Sequence, residues 1–285
     1  MKPDATILVS LCNRPKYIEE FLDFFGRQTY PPEKFEIIFV DDSGPEGCAA
    51  SREVLEAVRS KCEFTIRYYT AGLPKEVYGN PVARNIGLDR AASDLIICID
   101  DDCLPHTHFI AEHVKSHGGA GRVMVSGVRV VDRGKLTLPL PVEIGDGKSL
   151  RYIEKYRSGE IGAGAFLGAN ASIKKEHLEE AGGWNENLAN PREYGYTDRE
   201  LGMRLMGIGL RFVLNTNAVI YHRPTEKRIT EFRAKHNSAD RAHNRFKRIQ
   251  RKYKAKRILA AALRCIPFVG GKAARSLLKP KRVYT

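Results

Sequence analysis

Several signatures that would settle a function at once are missing from this chain. There is no Cys-x-x-Cys pair, no Gly-x-Gly-x-x-Gly, no Gly-x-x-x-x-Gly-Lys-Ser/Thr and no His-Glu-x-x-His. Their absence removes thioredoxin-like redox, dinucleotide-fold, P-loop and zincin readings. The six cysteines, at 12, 48, 62, 98, 103 and 265, follow no framework spacing, and several sit in apolar runs where a thiol packs as a small hydrophobe. A reducing, cytoplasmic setting is expected. Uncharged runs fall short of the roughly 18 residues a spanning helix needs. The opening "MKPDATILVSLCNRP" has one short apolar run without a basic leader or a small-residue cleavage site, so it reads as a strand and not as a signal peptide.

The formal charge of +13 is unevenly spread. From Arg223 to Thr285 there are 20 Lys+Arg and 3 Asp+Glu, a net of +17, which leaves −4 for everything before it. That shift predicts a boundary near His222, with a body over 1–222 and a basic, helical, amphipathic appendage over 223–285.

Within the body, strand-like and helix-like segments alternate. "ATILVSLC", "FEIIFVDDSG", "FTIRYYT" and "LIICIDDDC" read as strands, and "RPKYIEEFLDFFGRQ", "SREVLEAVRSKC" and "NPVARNIGLDRAA" read as helices between them. Nearly continuous apolar strands imply an α/β class with a mostly parallel central sheet covered by helices on both faces. Further along, "VRVVDRGKLTLPLPVEIGDGK" reads as loops, "YGYTDRELGMRLMGIG" puts Asp198 near the start of a helix, and "RFVLNTNAVIYH" reads as two short strand pieces ending at His222.

Acids mark two strand ends: Asp41 and Asp42 after the second strand, and Asp100, Asp101 and Asp102 after the fourth. In open parallel sheets ligands bind at the carboxyl ends of strands. Two acidic clusters at one sheet edge repel unless a cation lies near them, and carboxylates spaced by one residue suit Mg²⁺ or Mn²⁺ with phosphate oxygens. His106, His108, His113 and His117 offer an i, i+4 pair, but Pro105 and the missing Glu make a solvated helix face the expectation.

Taken in order, "VSLCNRP", "QTYPP", "IIFVDDSG", "ARNIGL", "ICIDDDC", "GANASIKKEHLEEAGGWNE" and "TDRELGMRL" resemble the motifs of family 2 glycosyltransferases over roughly residues 5–222. The resemblance implies a GT-A (nucleotide-diphospho-sugar transferase) fold and an inverting transfer from a nucleotide-diphosphate sugar to an acceptor hydroxyl. It implies that Asp41 and Arg84 meet the base and phosphates, and that Asp100 and Asp101 join them in binding the nucleotide sugar. Asp102, with His222 in reach, would take a divalent metal (Mn²⁺ or Mg²⁺), and Asp198 would be the general base. Thr197 stands where the family usually has Glu, which leaves the base role to Asp198 alone. No Gln-x-x-Arg-Trp follows, so transfer of a single sugar is expected over processive synthesis, in cell-surface polysaccharide or glycolipid formation.

A sugar-phosphate nucleotidyltransferase would share acids, Mg²⁺ and nucleotide, but the first strand here runs into "LCNRPKY" without the glycine-rich phosphate loop of that class. The tail supports a different class of reading. Its basic helix, followed by Ile258, Leu259, Leu263, Ile266, Phe268 and Val269, fits a segment lying on an anionic membrane surface, which suits a lipid-linked acceptor. A tail packed on the body, or a nucleic-acid contact lacking its usual aromatic or helix-turn-helix signatures, are the alternatives.

Overall fold

Parallel strands are buried on both faces, so their residues are apolar throughout and alternate only in which helical layer they meet. In a computed structural model, which describes residues 2–74, 77–119, 121–131, 166, 168–189, 196–223, 247–256, 276 and 279–280, this is how the chain begins. Strand β1 (Ala5–Leu11) is buried at all seven positions. It lies between β2 (Phe35–Asp41) and β4 (Leu95–Asp100), parallel to both, and β3 (Thr65–Thr70) extends the sheet beyond β2. Ile7 and Val9 face an aromatic-rich layer with Phe21 and Phe25 of α1 (Ile18–Gly26) and Phe109 of α4 (Phe109–His117). Leu8, one residue out of phase, faces the opposite layer, built on Leu88 of α3 (Asn80–Arg90), Leu178 of α5 (Lys175–Ala181), and Leu201 and Leu205 of α6 (Thr197–Gly207). Helix α2 (Gly44–Val58) completes the first layer through Leu55 and Val58.

The second half joins the sheet differently. Strand β7 (Asn170–Lys174) runs antiparallel to β4 and to β6 (Val123–Val131), while β8 (Arg211–His222) runs parallel to β6 and antiparallel to β5 (Cys103–Pro105). The described strands form one sheet in the order β3-β2-β1-β4-β7-β6-β8-β5. The segment expected as two short strand pieces is one twelve-residue strand, β8, because the interruption is absorbed by its partner. The β6–β8 register shifts between Ser126 and Val128, and at Gly127 a Cβ would overlap the Ala218 carbonyl oxygen and the Asn170 amide. Asn170 Nδ2 donates to both Val128 O (3.0 Å) and Ala218 O (2.9 Å), tying the two strands together at the irregularity.

Chain reversal after α5 uses Gly182 and Gly183, both at positive φ, with Gly183 N–H donating to Leu178 O. Buried Arg204 of α6 pairs with Glu200 at 2.7 Å and donates to Gly183 O at 2.7 Å, fixing α6 to that turn. The loops expected over 128–148 begin as strand, since residues 128–131 finish β6, paired with β8; residues 132–148 and the apolar positions 258–269 lie outside the described residues. Of the basic appendage, residues 247–256 are helical, with Tyr253 buried, and no described helix is long and apolar enough to cross a membrane.

Gly127→Ala should destabilise the protein by about 2 kcal/mol or more, since the added carbon meets backbone and not a movable side chain. Thermal or denaturant unfolding of the variant measures this, and a melting point equal to that of the wild type would show that the β6–β8 irregularity does not require glycine.

Candidate active site

Strand register brings the acids to one edge. On β1, Leu11 is paired with Asp41 of β2 and Ser10 with Asp100 of β4, so the two acidic strand ends flank one strand, about 10 Å apart at strand spacing. The chain turns at once after Asp100, and each of the three successive carboxylates finds a different partner.

Asp100 meets Arg84. This arginine, on the buried side of α3, donates Nη2 to Asp100 Oδ1 at 2.8 Å and Nη1 to Asp198 Oδ1 at 2.7 Å. Its guanidinium also lies 5.7 Å from the Trp184 ring centroid. The next residue, Asn85, donates to Trp184 O (2.9 Å) and accepts from Trp184 N–H (2.7 Å), so α3 holds both the cation and the loop it stacks on. Burial disfavours the charge of Arg84, but Asp198 and Asp100 outweigh it and raise its pKa, keeping it a cation. Asp198 sits in the first turn of α6, and its other oxygen accepts from Gly168 N–H at 3.0 Å. A Cβ at Gly168 would overlap Arg84 Nη1 and Asp198 Oδ1, so only glycine brings backbone this close to the pair. Loss of hydration and the nearby Asp100 raise the Asp198 pKa, against the pull of Arg84 and the Gly168 N–H.

Asp101 turns inward. It accepts from Cys12 N–H (3.2 Å) and pairs with Arg14, which also reaches Asp102 Oδ2 at 3.2 Å. Burial pushes its pKa up to about 8, despite Arg14. Asp102 points toward β8, with Oδ1 3.6 Å from His222 Nε2. The donor atoms of Asp102, Cys103 and His222 all lie within 4.8 Å of one another. Burial and the neighbouring acids push the Cys103 thiol well up, which leaves a carboxylate and an imidazole as the donors. That oxygen–nitrogen pair fits Mn²⁺ or Mg²⁺, with coordination positions left over for phosphate oxygens.

At the far end, Asp41 is fully buried: Oδ1 accepts from Ser43 N–H (2.9 Å) and hydroxyl, and Oδ2 from Tyr68 OH (3.1 Å). Asp42 is also buried, and its Oδ1 has no hydrogen-bond partner among the described residues. Loss of hydration, with Asp41 beside it, pushes its pKa up to about 7.

The structure thus joins Arg84, Asp100 and Asp198 in one cluster and Asp102 with His222 in another, linked through the "DDD" turn. Asp41 and Asp101 lie behind these, engaged by protein partners. Arg14, Tyr68 and Trp184 were not singled out from sequence; only the "NRP" of the first turn hinted at Arg14. The solvated helix face expected of the histidines does not hold for His113 and His117. His113 is fully buried, its ring bonded to Ser172 Oγ (2.8 Å) and Asn170 Oδ1 (2.9 Å), and His117 meets the same Ser172 Oγ at 2.9 Å. Burial pushes both pKa values down to about 4. Helix α4 lays this face on β7, whose polar inward residues Asn170 and Ser172 are visible only once the sheet is assembled.

The sequence profile of glycosyl transferase family 2 matches residues 6–182. Glycosyltransferase AglE of Haloferax volcanii is 25% identical over 125 residues, 44% of this chain and 39% of its own length. The uncharacterized glycosyltransferase YfnE of Bacillus subtilis is 24% identical over 235 residues, 67% of this chain and 57% of its own. The chain therefore spans about half the length of these relatives. Among solved structures, the Pyrobaculum calidifontis mannosyltransferase PcManGT, in complex with GDP-Man and Mn²⁺, superposes with a TM-score of 0.60 at 20% identity, covering 98% of this chain and 68% of that one. Residues 1–349 of Staphylococcus aureus TarS, in complex with UDP, give 0.56 at 14% identity, covering 96% and 69%.

Buried Asp42 generates a pH test. Its folded pKa lies above its unfolded value, so it stabilises the fold most below about pH 4 and loses that contribution as pH rises through about 7. Asp42→Asn should stabilise the fold at pH 8 by an amount on the order of 4 kcal/mol, raising its melting temperature, and leave it nearly unchanged at about pH 3.5, below both the folded and the unfolded pKa. Equal shifts at both pH values would contradict the assignment.

Proposed function

The chain belongs to glycosyl transferase family 2 and has the GT-A fold, and from that premise we propose that it transfers a single hexosyl-type sugar from a nucleoside-diphosphate sugar to an acceptor hydroxyl, with inversion at the anomeric carbon and with a divalent cation. The observation that carries this reading is the Arg84 bridge: one cation holds the carboxylate at the end of β4 and the carboxylate at the start of α6 in a single cluster. A pair of acids so placed can serve the two halves of a displacement, one beside the donor and one beside the incoming hydroxyl.

Asp198 takes the proton of the acceptor hydroxyl as the new glycosidic bond forms and the bond to the diphosphate breaks. Its raised pKa brings it closer to neutrality, where a carboxylate works better as a base. Arg84 orients Asp198 and offers positive charge toward the donor phosphates. Asp100 anchors Arg84 and faces the nucleotide sugar. Asp41 and Asp101, buried behind, shape the donor end, the first through Ser43 and Tyr68 and the second through Arg14. Asp102 and His222 would hold Mn²⁺ or Mg²⁺, which when bound neutralises charge on the departing diphosphate. Donors in the related complexes are GDP-Man and, for TarS, UDP-GlcNAc, which supports a nucleoside-diphosphate sugar here. TarS is named a poly(ribitol-phosphate) β-N-acetylglucosaminyltransferase, and a cell-surface glycan or lipid-linked acceptor, reached from the cytoplasmic side, is the class proposed for this chain.

Release of nucleoside diphosphate from a donor panel tests these roles. Asp198→Asn should retain donor binding and lose about 10²–10⁴ in turnover. Asp102→Asn and His222→Ala should each raise the Mn²⁺ concentration for half-maximal activity by about tenfold or more. Donor binding lost equally in all three variants would overturn the division between base and metal residues. Because Asp198 must be deprotonated to act, kcat/KM should fall on its acid side at a pH above the ordinary carboxylate value. Removing the Arg84 charge as Arg84→Gln should move that limb to higher pH, and an unmoved limb would separate Arg84 from the base.

A further inference from the structure

The helix at 247–256 carries Lys247, Arg248, Arg251, Lys252, Lys254 and Lys256, all exposed, and no acidic residue. Its inward face is Ile249, half-buried, and Tyr253, buried, four residues apart and so on one side of the helix. Tyr253 is seated against the last residue of α6: a Cβ at Gly207 would overlap the Tyr253 hydroxyl. Met206, immediately before Gly207, is the exposed large hydrophobic residue among the described residues. A second contact comes from Lys279 and Pro280, which lie against Gly182 at the end of α5. The appendage is therefore fastened to the two helices whose turn Arg204 closes, and one of them begins with Asp198.

We propose that the helix at 247–256, clamped to the C-terminal end of α6 by Tyr253, is a fixed electrostatic foot that sets the body on an anionic lipid surface. Its buried Tyr253 is taken up against α6, so the helix offers charge to headgroups, and the neighbouring Met206 supplies an apolar point of entry; a nucleic acid or a polyanionic glycan would have no use for that exposed thioether. Sequence immediately beyond the helix adds Ile258, Leu259 and Leu263 to further Lys and Arg. From Gly207 to Asp198 is about 14 Å along the helix axis, at 1.5 Å per residue. A foot at one end of α6 thus holds the candidate base at a set distance from the bilayer. The proposal rests on the preceding reading only for the membrane-borne acceptor; lipid contact and donor chemistry are measured separately.

The test is co-sedimentation of the full chain with phosphatidylcholine vesicles, with and without 30% phosphatidylglycerol, at 0.1 M salt, paired with hydrogen exchange. Binding is expected to the anionic vesicles alone, and to fall about tenfold or more in a Lys247→Glu, Arg251→Glu, Lys254→Glu variant. Vesicles should slow exchange both in 247–256 and at the end of α6, residues 203–210. In Tyr253→Ala, and in Gly207→Ala as a second way of unseating the tyrosine, protection should persist in 247–256 and vanish at 203–210. No binding to anionic vesicles, equal binding by the charge-reversed variant, or retention on dextran sulfate without vesicle binding would each overturn the lipid partner. Unprotected 203–210 in the vesicle-bound wild type would overturn the clamp. Metal-dependent donor binding, read on the same proteins without lipid, reports on the transferase reading independently of every one of these outcomes.

Discussion

The contact on which the site depends is the double ion pair of Arg84. Without it, Asp100 and Asp198 would be two carboxylates converging in a poorly hydrated corner with no cation between them. Removing one partner of a fully buried pair costs about 3–5 kcal/mol. Here the penalty is smaller, since Asp100 and Asp198 keep 34% and 35% of their side-chain surface open. Arg84 in turn depends on α3 lying against β1 and β2, and on Asn85 gripping the Trp184 backbone.

The "DDD" turn raises the question of why a buried strand should end on three like charges. Geometry answers it residue by residue: Asp100 goes to Arg84, Asp101 back to Arg14 and Cys12, and Asp102 across to His222. A turn separates consecutive side chains, so the repulsion expected of a linear acidic triplet is divided among partners on α3, on the loop after β1 and on β8. Arg14 takes part twice, through Asp101 and Asp102, and so fixes the turn that presents Asp102 toward β8.

Much of this was legible in the sequence. Strand ends marked by Asp41 and Asp100 and the helix opened near Asp198 follow from local apolar pattern and turn chemistry, which need only neighbours in the chain. What was not legible is set by partners far away in sequence. The burial of His113 and His117 depends on Asn170 and Ser172 of β7, more than fifty residues on. The unity of β8 depends on Gly127 yielding in β6. Asp101, the middle of three successive acids, could not be told from its neighbours until Arg14 was placed. The loss of solvent around Asp41 likewise appears only when Tyr68 of β3 closes over it.

The central claim is that acids at the ends of β2 and β4, with His222 of β8, make a cation-dependent site for a nucleoside-diphosphate sugar. It is tested most directly by titration calorimetry of a panel of such donors against the full chain, with Mn²⁺ and then with chelator. The account predicts that one donor class binds with Mn²⁺ present and loses about tenfold or more in affinity when it is removed. Binding of equal strength in chelator would contradict it, and so would the absence of binding by every donor in the presence of Mn²⁺.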